Sequence, residues 1–240
     1  MDKYITSIGI DISYCDVETD SIINNKLEKE LRLLSKNNKN IKNAITNITG
    51  DDIVISSLLP KNKIEENNKN ILNLLKKYAQ SFDDLNGISD IPEKAGEGIS
   101  YAKTKALSNY GDALIISFDT YGGENIVNEM ALFVKEIGEK YNFNVGCSIY
   151  DKPKYIEGIG YTGTSTDDPV VIIAFNKLND LPKLTGLIYG GLLSFDNLYF
   201  VKKGTPTNIL PPGVIYTISA FLNGNVIDLY DGIKRRNNMI

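Results

Sequence analysis

The stretch Gly158-Ile159-Gly160-Tyr161-Thr162-Gly163-Thr164-Ser165-Thr166-Asp167-Asp168-Pro169 packs four serine or threonine hydroxyls and two carboxylates ahead of an apolar run. Glycines let backbone N–H groups approach a ligand, hydroxyls add short donors, and aspartates orient a nucleophile or bind a cation. In a catalytic reading Thr164 or Ser165 contacts or attacks the substrate, and Asp167 or Asp168 orients it. Thr162, Gly163 and Thr166 complete the ligand contacts. The same residue types also build an ordinary turn leading into a strand.

A second segment, Ser117-Phe118-Asp119-Thr120-Tyr121-Gly122-Gly123-Glu124-Asn125, follows an apolar strand and opens a helix. Open α/β sheets bind ligands at such places, where free N–H groups favour anions. Asp119, Gly122, Gly123, Glu124 and Asn125 are therefore candidate ligand contacts. Glu124 works against a bare phosphate, and neither a P-loop nor a Gly-x-Gly-x-x-Gly pattern is present. Glu93-Lys94-Ala95-Gly96-Glu97-Gly98 reads as a surface turn or a glycine lid.

The chain contains no histidine. Imidazole couples, shuttles and metal ligands are thereby excluded, and with them a conventional zinc hydrolase. Proton transfer falls to carboxylates, lysine or tyrosine. A metal would need oxygen ligands, hence Mg²⁺ or Ca²⁺ from Asp119, Glu124, Asp167 or Asp168. No specific metal site is assigned.

These segments need a scaffold. Tyr4 to Ile10 and Asp52 to Leu59 read as strands, and Asp20 caps a helix through Ser35. A second helix spans Lys63 to Ser81, and a short one spans Ile99 to Leu107. Strands at 112–118, 144–150 and 169–175 flank a helix carrying Ile126, Met130, Val134 and Ile137. Continuous apolar strands alternating with helices predict an α/β fold with a mostly parallel central sheet and helices on both faces. Leu184 to Leu193, Asn197 to Lys202 and Val214 to Leu222 look strand-like, with a short helix as the alternative for the last. The expectation is one domain over 1–240, with an α/β body to 178 and a β-rich closing segment over 179–240. No internal repeat is evident.

Taken together, Gly111 to Ala174 resembles the second half of adenosylcobinamide amidohydrolases, the corrinoid-salvage enzymes. The matching pieces are Ala113 to Phe118, Ile126 to Ile137, and Thr162-Gly163-Thr164-Ser165-Thr166-Asp167 before Val170-Val171-Ile172-Ile173. Glu136 to Lys140 departs from the family's middle-helix pattern. This resemblance implies an amide hydrolase acting on a small molecule. The order Gly111-Asp112, apolar strand, Gly122-Gly123 turn, helix and Val145-Gly146 strand is also similar to the tubulin-like cell-division GTPases. The phosphate-binding glycines of that family are missing, so the second resemblance implies a binding or assembly protein without nucleotide turnover.

The 26 basic and 30 acidic residues give a net charge of −4, which argues against nucleic-acid binding. Lys234-Arg235-Arg236 reads as a solvated tail. Cys15 and Cys147 have no metal-ligand spacing, and there is no signal-peptide pattern or membrane-length apolar run. A cytoplasmic protein with a small-molecule substrate is expected, its oligomeric state open.

Overall fold

The computed structural model describes residues 2–120, 124–164, 166–209 and 212–232. The chain opens with β1 (Lys3–Asp11), α1 (Ser21–Asn37), β2 (Lys42–Thr49) and β3 (Asp52–Pro60). α2 (Ile64–Tyr78), the short α3 (Asp83–Asn86) and β4 (Ser100–Lys105) follow. Asp20 caps α1 as expected, accepting from the N–H groups of Ile22 at 2.7 Å and Ile23 at 3.3 Å. These strands form one sheet in the order β2-β3-β1-β4, antiparallel throughout.

The remainder repeats that plan. β5 (Ala113–Thr120), α4 (Glu124–Lys140), β6 (Asn144–Cys147) and β9 (Val170–Ala174) are followed by α5 (Asp180–Leu192) and β11 (Val214–Leu222). The hairpin β7 (Lys154–Ile156) and β8 (Gly160–Thr162) interrupts the unit; β10 (Leu198–Phe200) and β12 (Asn225–Asp228) extend the sheet beside β11. The core order β11-β5-β9-β6 matches β4-β1-β3-β2 of the first sheet. Each half is thus a β-α-β-β-α-β unit. The chain is a structural duplication, which the absence of an obvious sequence repeat conceals.

The expected mostly parallel sheet is corrected: every core pairing is antiparallel, and only β10 runs parallel to its neighbour β11. The reason lies in the layering. The two sheets stack face to face, with Ile5, Val54, Leu58, Ile115, Val170, Ile172 and Phe221 between them. α1 and α2 cover the outer face of the first sheet, through Leu27, Leu31, Ile71 and Leu75 against Ile8, Ile10, Ile53 and Ile55. α4 and α5 cover the second, with Val127, Met130 and Ile188 against Leu114, Ile116 and Ile173. Antiparallel strands buried on both faces lose their apolar-polar alternation and read like parallel ones.

Two further expectations are corrected. Ile99 to Leu107 is mainly strand β4, whose backbone pairs with β1 rather than coiling as a helix. Leu184 to Leu193 belongs mostly to helix α5, and Leu184, Ile188 and Leu192 bury one face against α4 and β5. The closing segment is therefore the last αβ portion of the second repeat and not a separate β-rich cap. Lys234-Arg235-Arg236 lies outside the described residues. Among the described residues no helix is long and apolar enough to cross a membrane.

Candidate metal centre

At one end of the sandwich the central strands of both sheets deliver aspartates to a common cavity of about 280 Å³. Asp11 ends β1, Asp51 and Asp52 open β3, and Asp119 sits near the end of β5. Asp84 comes from α3, Asp16 from the loop after β1, and Asp167 and Asp168 precede β9. All of these but Asp168 line the cavity together with Thr120, and among the described residues no lysine or arginine lines it. The duplication explains the convergence. Asp11 and Asp119 lie at or near the ends of equivalent strands, and Asp51-Asp52 and Asp167-Asp168 lie at or just before the starts of equivalent strands.

The carboxylates fall into two overlapping triplets, Asp51–Asp52–Asp119 and Asp52–Asp84–Asp168. Within each triplet, one oxygen per residue lies within 4.8 Å of the others. A cation that draws oxygens to about 2.0–2.6 Å can span such a set after small side-chain shifts. Asp52 belongs to both triplets, and each contains residues of both repeats.

Two buried carboxylate oxygens are unbonded. Asp119 and Asp168 are 6% and 2% exposed, and the Oδ2 of each has no hydrogen-bond partner among the described residues. The other oxygen of Asp168 is well held: Ser100 Oγ lies 2.9 Å from Asp168 Oδ1, and Thr166 Oγ1 also donates to it. The Ser13 N–H donates to Asp11 Oδ1 at 2.7 Å, and the Asp11 N–H donates to Asp84 Oδ2 at 2.8 Å. These bonds hold Asp11, Asp84 and Asp168 in place.

Burial pushes six of these acids, Asp11, Asp51, Asp52, Asp84, Asp119 and Asp168, above the ordinary carboxylate range. Burial is the first cause at every one of them, with neighbouring aspartates adding to it. Asp51 is pushed up to about 6, Asp11 and Asp84 to about 7, and Asp119 to about 9. Asp52 and Asp168, the most enclosed, are also raised. A bound divalent cation reverses this effect by stabilising the ionised forms.

Backbone geometry makes room for the cluster. Gly50 has φ +61°, and a Cβ there would meet Asp119 Oδ2 at 1.8 Å. Only glycine lets the β2–β3 turn pass so close to that carboxylate. Behind the acids, the inter-sheet layer is polar. Asn47 donates to Thr217 Oγ1 at 2.9 Å, and Thr49 Oγ1 and Thr217 Oγ1 are 2.7 Å apart. Ser7 and Ser56 pair at 2.8 Å, and Ser219 donates to Thr46 O at 2.8 Å.

Of the residues singled out in the sequence, Asp119 and Asp167 share the cavity lining, Asp119 belongs to the triplet with Asp51 and Asp52, and Asp168 belongs to the triplet with Asp52 and Asp84. Thr166 supports Asp168, while Thr162 Oγ1 donates to Ile99 O at 2.8 Å. Thr164 is exposed, and its carbonyl accepts from the Tyr150 N–H at 3.4 Å. The Gly163 N–H donates to Gly96 O at 2.8 Å, tying that loop to the Glu93–Gly98 turn. Glu124 and Asn125 start α4; Gly122, Gly123 and Ser165 lie outside the described residues. Asp11, Asp16, Asp51, Asp52 and Asp84 escape the sequence reading. The available signal is the Asp-Asp dipeptide before a β-branched strand, present at 51–52 and again at 167–168.

The chain is 63% identical over 237 residues to the uncharacterized protein MJ1676 of Methanocaldococcus jannaschii, covering 98% of this chain and 99% of that protein. An uncharacterized protein of Methanothermobacter thermautotrophicus is 38% identical over 240 residues, covering 98% and 97%. Among solved structures, a candidate chlorite dismutase, TA0507, aligns at a TM-score of 0.33 and 8% identity, over 78% of this chain and 86% of that one. That degree of similarity fixes neither fold nor chemistry. The family model described as uncharacterised conserved protein UCP005278 matches residues 4–237, and the chain belongs to that family.

Proposed function

We propose that the protein is a divalent-cation-dependent enzyme that transfers or hydrolyses a phosphoryl group of a small molecule. The observation that carries this reading is the pair of triplets sharing Asp52, with buried and unbonded oxygens on Asp119 and Asp168. An all-carboxylate donor set suits Mg²⁺ or Mn²⁺ rather than zinc. Two cations bridged by one carboxylate form the kind of clamp that stabilises both the attacking and leaving oxygens of an in-line displacement.

Among the described residues no cationic side chain lines the cavity, so a bound cation would be the partner of substrate phosphate oxygens there. Asp51, Asp52 and Asp119 would hold one cation, and Asp52, Asp84 and Asp168 would hold the other. A bound cation would supply a polarised water as nucleophile, and an aspartate outside the ligand set would accept its proton. Asp167, exposed at the rim, suits that task. Such a water also attacks an amide carbonyl, so amide hydrolysis is the second reaction to assay. The two cysteines are free thiols, which suits a reducing compartment, and we place the activity in the cytoplasm.

The test is a panel of phosphate monoesters, phosphodiesters, nucleotides and amides, assayed with Mg²⁺, with Mn²⁺ and with EDTA. Cation-dependent release of phosphate or nucleotide product, lost in Asp52→Asn, supports the reading. Turnover that persists in EDTA overturns it.

A further inference from the structure

A second cavity, of about 790 Å³, lies between α1, the edge strand β2 and β12. Its charged lining is mostly cationic: Arg32, Lys36, Lys42 and Lys203 against Glu28 and Asp228. Both carboxylates are already engaged. Glu28 pairs with Arg32 at 2.7 Å, and Asp228 accepts the backbone N–H groups of Lys203 and Tyr230, each at 3.0 Å. Among the described residues, Lys36, Lys42 and Lys203 form no ion pair. The half-buried Lys203 ammonium donates to Ile45 O at 2.5 Å. An ammonium carries three donors, so further donor capacity remains for a ligand.

We propose that this groove binds an oligophosphate chain, free or carried by a nucleotide. Several cations spread along one open groove match a polyanion better than a single carboxylate. Lysine serves as a point-charge phosphate binder, and Arg32 at the rim can exchange Glu28 for a phosphate oxygen. The volume falls within the range of small-molecule sites. This site is separate from the carboxylate cavity, shares no lining residue with it, and requires no divalent cation.

Calorimetric titration of the full chain with tripolyphosphate and with ATP, in EDTA at low salt, tests the proposal. Saturable binding is expected, and Lys203→Met should weaken it by about tenfold or more, as for a lost charge-assisted hydrogen bond. Lys42→Glu, a partly exposed change that leaves the core intact, should weaken it as well. Asp52→Asn should bind as the wild type does, which separates this site from the proposed metal centre. Tighter binding of ATP identifies a nucleotide ligand; equal affinity identifies the phosphate chain alone as the recognised group. No saturable binding by the wild type, unchanged affinity in both lysine variants, or loss of binding in Asp52→Asn overturns the proposal.

Discussion

Asp11 and Asp52 face each other as the final pair of the β1–β3 ladder, two carboxylates in direct cross-strand register. Like charges placed opposite one another in a sheet destabilise it. Here the pair is further enclosed by Asp84, Asp119 and Asp168 from elsewhere in the fold. An arrangement that opposes folding when empty becomes favourable once divalent charge sits between the acids, and that reversal yields measurable consequences.

Asp52→Asn removes the residue common to both triplets and one of the buried like charges. The variant should melt at a higher temperature than the wild type in EDTA. It should also lose most of the rise in melting temperature that Mg²⁺ or Mn²⁺ gives the wild type. Thermal melts with and without cation check both effects. A variant less stable in EDTA, with the cation-induced rise intact, contradicts the assignment.

The raised pKa values set the sign of the pH dependence. A carboxyl whose folded pKa lies above its unfolded value binds more protons when folded, so stability falls as pH rises between the two values. For Asp51, Asp11, Asp84 and Asp119 the window runs from the ordinary value of 3.8 up to about 6, 7, 7 and 9 respectively. Denaturant melts in EDTA should therefore show stability declining from about pH 5 to pH 8. With saturating Mn²⁺ the decline should flatten or invert, because cation binding releases those protons.

Gly50→Ala puts a side chain at φ +61° and a Cβ against Asp119 Oδ2. The backbone conformation alone costs about 1–2 kcal/mol. Displacement of Asp119 should in addition weaken cation binding at the Asp51–Asp52–Asp119 set. Urea melts and Mn²⁺ titration of the same variant separate the two losses. Gly204→Ala, at φ +80° with open space around its Cβ, controls for backbone strain alone.

Asn47 joins the two sheets behind the acids, reaching Ile115 O and Thr217 O at 3.3 Å and Thr217 Oγ1 at 2.9 Å. Asn47→Ala removes the side-chain donor that links the two sheets here and should cost about 1 kcal/mol or more in chemical denaturation. The double substitution with Thr217→Val should cost less than the sum of the single changes, since they share one network.

Much of the element content is readable from residue pattern. Leu27 and Leu31 mark α1, Ile71 and Leu75 mark α2, and the all-apolar run at 170–174 marks β9. Strand direction is not readable in this way. A strand such as β5, with Leu114, Ile116 and Phe118 under helices and Ala113 and Ile115 under the opposite sheet, is apolar on both faces whichever way its neighbours run. Three of the eight aspartates of the acidic centre are likewise visible: Asp167, Asp168 and Asp119 stand beside unusual hydroxyl and glycine runs. Asp11 and Asp84 stand in unremarkable contexts, and only the pairing of β1 with β3 and the Asp11–Asp84 hydrogen bond bring them to the cavity. The repeated Asp-Asp dipeptide links the halves once the common strand order is known.

Counting Mn²⁺ bound per chain, by electron paramagnetic resonance of the free ion during titration, addresses the centre most directly. Two equivalents are predicted for the wild type, with Asp52→Asn losing affinity for both. Absence of stoichiometric binding by the wild type, or binding that Asp52→Asn leaves unchanged, would contradict a two-cation centre built on Asp52.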